Sequence, residues 1–187
     1  SKIGNITIIG GTVTAGGGYR GAGIGGGISG SGKNITITGG TVNADGGTNA
    51  AGIGGGATGS GSNVTVSGAA QVTATVGKSN RFRYYGAGAT IGNGGNQTPG
   101  GERVDGEEIQ AKIDDLFPGS IHHIIYAQDL ILDDNSYAIV REWWEPERPQ
   151  PKPESPQPNP EDPNAPAEES NEVSLGTPGL HVETLEG

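Results

Sequence analysis

The run N-I-T-I-I-G-G-T-V-T-A, from Asn5 to Ala15, returns 29 residues later as N-I-T-I-T-G-G-T-V-N-A, from Asn34 to Ala44. A looser copy opens with N-V-T-V-S at Asn63, again 29 residues on. Each of the first two copies is followed by a glycine-rich run, G-A-G-I-G-G-G at 21–27 and A-A-G-I-G-G-G at 50–56. A fixed period of about 20–50 residues marks a repeat architecture and outranks local propensity.

Within each copy two short runs alternate. Side chains on a strand point to opposite faces in turn, so Ile6 and Ile8 share one face and Thr7 and Ile9 the other. After the Gly10-Gly11 bend, Val13 and Ala15 share a face, with Thr12 and Thr14 opposite. Ile24 is the one large apolar group of the third run. No single copy buries so few side chains, but stacked copies align Ile6 with Ile35 and Val64, Ile8 with Ile37 and Val66, and Val13 with Val42 and Val72. Each buried aliphatic contributes about 1.5–3 kcal/mol, which offsets the entropy lost in fixing so much glycine. Asn5, Asn34 and Asn63 align too; either their amides bond to one another, or each simply starts a strand at a turn. A helix is excluded by the absence of a 3.6-residue period and by the glycine content. The expectation for residues 1–101 is an all-β parallel β-solenoid of about three 29-residue coils.

This pattern resembles the glycine-rich repeats of large surface proteins of Gram-positive bacteria. The resemblance covers residues 5–77 well and 86–95 loosely. It implies a right-handed parallel β-helix in an extracellular, adhesin-like protein, and it carries little about activity.

Composition narrows the function classes. Only 31% of the 187 residues are hydrophobic, too few for a large globular core, though a thin repeat core needs few. With no Cys there is neither a disulfide framework nor a thiol site. With no Met, the expectation is a processed product or an excised piece of something longer. No long apolar run is present, so membrane insertion by this chain is not expected. Charge is divided: six basic groups face Asp45 alone in residues 1–101, whereas 102–187 hold five basic and twenty acidic groups. Either the two halves attract one another, or the acidic part keeps a secreted chain in solution. Six scattered basic groups make no nucleic-acid stripe.

The third copy loses regularity. Ser67–Val72 is one residue longer than its counterparts, which predicts a bulge, and an insertion including Arg81, Phe82, Arg83, Tyr84 and Tyr85 separates Ile53 from Ile91. Two readings are open for these aromatics: a glycan- or partner-binding patch, or a cap over the last coil. Residues 92–101 read as loop. Residues 102–145 read as a capping module, with a short helix over Asp105–Ile113 started by Asp105, then strand-like runs Ile121–Tyr126, Leu130–Leu132 and Tyr137–Trp144. Asp133–Ser136 reads as the turn closing the last two. Residues 146–170 form a Pro/Glu-rich spacer, and 171–187 a tail whose Val173, Leu175, Leu180, Val182 and Leu185 are candidates for edge-strand assembly. Trp143 and Trp144 are either cap packing or a sugar platform.

Catalytic chemistry is hard to place. The repeats offer Asp45 as their only acid, too little for carbohydrate cleavage or calcium turns. The loose G-x-G-x-x-G at 21–26 recurs with the repeat and is no nucleotide loop. His122 and His123 point opposite ways on a strand and cannot chelate one metal together. Threonine rows on the outer faces break at Asn43 and Gln71, against an ice-binding array. No catalytic residue, metal site or cofactor is expected. The expected function is a non-catalytic extracellular structural or adhesive protein of a bacterial cell surface or surface filament. Its partners would be further copies or other surface proteins, and it would assemble through coil ends or tail strands. The alternative is a carbohydrate-binding β-helix module whose partners are glycans.

Overall fold

The structure, a computed structural model, describes residues 4–77, 85–118, 120–131 and 137–147. Every described element is a strand. The first repeat gives β1 (Ile6–Ile8), β2 (Thr12–Gly16) and β3 (Ile24–Gly25). The second gives β4 (Gly32–Ile37), β5 (Thr41–Asp45) and β6 (Ile53–Gly54), and the third β7 (Gly61–Ser67), β8 (Gln71–Thr75) and β9 (Ile91–Gly92). Then follow β10 (Asn96–Gln97), β11 (Arg103–Val104), β12 (Lys112–Asp114), β13 (Ile121–Ile131) and β14 (Tyr137–Glu145).

Equivalent strands pair in parallel and in register. Ile6 lies beside Ile35 and Ile35 beside Val64; Val13 beside Val42 and Val42 beside Val72; Ile24 beside Ile53 and Ile53 beside Ile91. The inward rows of three sheets meet in one cluster in which Ile35, Ile37, Val42, Ile53, Val66 and Ile91 are fully buried. In the first repeat Ile6, Ile8, Val13 and Ala15 are only partly buried. The extra residue of the third copy is absorbed at Gly68–Ala70, after which Thr41 pairs with Gln71 instead of residue 70. One glycine row is compulsory. Gly25, Gly54 and Gly92 have φ of 139°, 131° and 148°, and a Cβ on either of the first two would collide with the next one's carbonyl oxygen.

The expectation of a single right-handed parallel β-solenoid with a helix-containing cap is corrected by this layout. The strands form four sheets: β1-β4-β7-β12 and β3-β6-β9, which are parallel, the antiparallel ribbon β10-β11, and the mixed sheet β14-β13-β8-β5-β2. The 29-residue register is already lost within the third repeat, where Thr41 pairs with Gln71 and Ile53 with Ile91. β13 is eleven residues long, continuous across what reads as two runs, and its partner β14 is antiparallel to it. No helix exists among the described residues, so the expected helix at 105–113 is also corrected. Ile109, Ala111 and Ile113 are buried or half-buried while Gln110, Lys112 and Asp114 are exposed, a spacing of two that suits extended chain. Asp105 does not cap a helix; its Oδ1 accepts from the Ala87 amide at 2.8 Å. The supposed loop at 92–101 contains β10. The predicted turn Asp133–Ser136 lies outside the described residues.

Candidate functional site

The mixed sheet carries its rows past the repeats. The inward row Ala15, Ala44, Ala74 continues with His123 and then Trp143, and the row Val13, Val42, Val72 continues with Ile121 and Glu145. On the outer face, Thr14, Asn43 and Thr73 lead to His122 and Trp144. Strand alternation thus sends the neighbouring histidines to opposite faces, as the sequence predicts. Each lies flat on its cross-strand tryptophan: His123 on Trp143 with centroids 4.4 Å apart, His122 on Trp144 at 4.6 Å.

Behind His123 runs a buried chain of polar contacts. Thr90 Oγ1 is 2.6 Å from His123 Nδ1 and donates to Glu108 Oε2 at 2.7 Å. Glu108 also accepts from the backbone amides of Thr90 (2.6 Å) and Ile91 (3.1 Å). Three donors converging on one carboxylate are what its charge needs once water is removed. On the other side of the ring, His123 Nε2 is 3.6 Å from Glu145 Oε2 and has no hydrogen-bond partner although the atom is buried. Glu145 in turn accepts at Oε1 from Gln110 Nε2 at 3.4 Å. Glu108, Gln110, His123 and Glu145 line a cleft of about 190 Å³ with Arg141, whose guanidinium lies 4.4 Å over the Trp143 ring.

Burial dominates the electrostatics. It pushes the His123 pKa down to about 4, with the nearby His122 and Arg141 charges adding to the effect. It raises Glu108 and Glu145 above the usual carboxylate value, against the hydrogen bonds that favour their ionised forms. A hydroxyl beside an imidazole is the geometry of an activated nucleophile. Here Thr90 is fully buried and its proton is committed to Glu108, so the pair offers no nucleophile to a substrate.

Of the residues expected at a site, Arg81, Phe82, Arg83 and Tyr84 lie outside the described residues, as do Val173, Leu175, Leu180, Val182 and Leu185. Tyr85 holds Arg20, whose guanidinium is 4.4 Å from the ring centroid. The buried Asn49 fixes the backbone there, donating to the carbonyls of Tyr85 (3.1 Å) and Gly86 (2.8 Å). Trp143 carries His123 at one contact and Arg141 at another, which leaves no clear ring face for stacking a sugar.

Thr90, Glu108, Gln110, Arg141 and Glu145 were not legible as a group. One signal was present. Ile24 and Ile53 each follow a glycine, Gly23 and Gly52, whereas Ile91 follows Thr90, so the repeat breaks at the residue that binds Glu108 and His123.

No protein-family model matches the chain, and no curated protein or solved structure matches it significantly.

Proposed function

We propose that this chain is a non-catalytic extracellular structural or adhesive protein of a bacterial cell surface, which assembles through the open edge of its first repeat. The observation that carries the reading is an asymmetry between the two ends of the stacked rows. Beyond the third repeat, β12 and β13 pair with β7 and β8, and Ala111 and Ile121 are buried. On the first repeat, β1, β2 and β3 each stand at the end of their sheet, and no described strand pairs their outer sides. Ile6, Ile8, Val13 and Ala15 there are only partly buried, though they match the fully buried Ile35, Ile37, Val42 and Ala44.

Unpaired strand edges with apolar side chains beneath them are templates for another chain. The first repeat is nearly identical in sequence to the second, whose equivalent edge already accepts a repeat. The likeness of N-I-T-I-x-G-G-T-V-T-A to Gram-positive surface repeats supports the extracellular setting. The glycan-binding alternative finds little support at Trp143, whose ring is engaged by His123 and Arg141.

Light-scattering mass over a concentration series tests the reading. The chain should self-associate, and charges placed on the edge in Thr7→Lys/Thr14→Lys should return it to monomer. A chain that stays monomeric at every concentration overturns it.

A further inference from the structure

We propose that His123 Nε2 and Glu145 Oε2 form an open binding site for a divalent transition-metal ion of the zinc type. Hydrogen bonding fixes the tautomer first. Thr90 Oγ1 gives its proton to Glu108 Oε2, so toward His123 Nδ1, 2.6 Å away, it acts only as an acceptor. Nδ1 therefore carries the ring proton, and Nε2 presents a lone pair. A second acceptor, Glu145 Oε2, lies 3.6 Å from Nε2. Two acceptors facing one another repel unless an electrophile lies between them. Nε2 is buried without a partner, and His123 is 2% exposed.

The separation fits a metal. Bonds of about 2.0–2.2 Å to nitrogen and oxygen at a tetrahedral angle place the two ligand atoms about 3.4 Å apart. The surroundings are those of metal ligands: a liganding histidine donates its other ring N–H, and a liganding carboxylate is itself held. Here His123 donates to Thr90, which is tied to Glu108, and Glu145 is held by Gln110. Imidazole with carboxylate selects zinc, nickel or copper over calcium and magnesium. Among the described residues no three His, Cys, Asp or Glu side chains converge, so the remaining positions belong to water or an exogenous ligand. Arg141 lines the same cleft and opposes a bare cation, which favours an ion bound together with an anion.

The test is calorimetric titration of the chelator-treated full chain with Zn²⁺, paired with ¹⁵N spectra of the histidine side chains. One equivalent should bind, and Zn²⁺ should move the Nε2 resonance of His123 while Nδ1 stays protonated. Glu145→Gln should weaken binding at least about tenfold, the scale on which metal-site hydrogen-bond partners act. His122→Gln, on the opposite face, should leave it unchanged. If His123→Gln fails to fold, the Glu145→Gln titration and the ¹⁵N shift still decide. No Zn²⁺ uptake, uptake indifferent to Glu145→Gln, or a shift at His122 or His181 in place of His123 overturns the site.

Discussion

The side-chain amide of Asn34 donates to Oδ1 of Asn5, 29 residues earlier, over 3.1 Å. Asn63 repeats the bond to Asn34 at the same distance, and Asn34 and Asn63 hold φ of 55° and 52°. Asparagine is thus used twice at this corner. Its short amide tolerates the left-handed backbone and joins one repeat to the next. Ser29 with Thr58 (2.8 Å) and Ser31 with Ser60 (3.0 Å) make shorter ladders of the same spacing.

Asn34→Ala should therefore lose on both counts, costing about 1–3 kcal/mol from a net hydrogen-bond loss and a strained φ. Asn34→Gly removes the amide but relieves the backbone, and should cost less. Urea denaturation midpoints of the two variants decide; equal losses would mean that the backbone angle contributes nothing.

Gly54→Ala should be among the most damaging single changes in the repeats. At φ 131° a side chain is strained, and its Cβ would meet the Gly92 carbonyl oxygen. A loss of more than about 3 kcal/mol, or failure to fold, is expected. Gly10→Ala faces open space at an ordinary φ and should change stability by less than about 0.5 kcal/mol. Thermal unfolding of the pair is the measurement.

Ile37→Ala and Ile8→Ala remove the same atoms from aligned positions. Ile37 is fully buried, and its loss should cost about 2–5 kcal/mol. Ile8 is partly buried, so in dilute monomer its loss should cost clearly less. If first-repeat edges associate, the gap should narrow as protein concentration rises, which denaturation at several concentrations would reveal.

Acid should weaken the fold partly through His123. Its folded pKa of about 4 lies below the ordinary 6.5, so the unfolded chain takes up the proton first. The contribution is fully present above pH 6.5 and lost as pH falls through about 4, a change of about 3 kcal/mol. Glu108 and Glu145, with raised values, act in the opposite sense: their burial penalty is relieved as pH falls toward 4.5. The stability difference between the chain and His123→Gln, measured with chelator present, isolates the histidine. It should shrink across that window; a pH-independent difference would refute the assignment.

The sequence by itself determined the repeat, its 29-residue step, which side chains face inward, and the stacking of like on like. These follow from period-two alternation and from glycine at fixed places, both local properties of the chain. The opposite faces of His122 and His123 were readable for the same reason. The tertiary structure alone decided how the rows end. The alternation of Ile109, Ala111 and Ile113 was present in the sequence but competed with a helix-start pattern at Asp105, and the strands of the third repeat settled it by offering edges to pair with. The contact of Thr90 with Glu108 and His123, and of His123 with Glu145, joins residues 18 to 33 positions apart in the chain. No spacing rule links such positions. They meet only because the parallel rows run out there, and the polar groups left at the end must find one another once water is excluded.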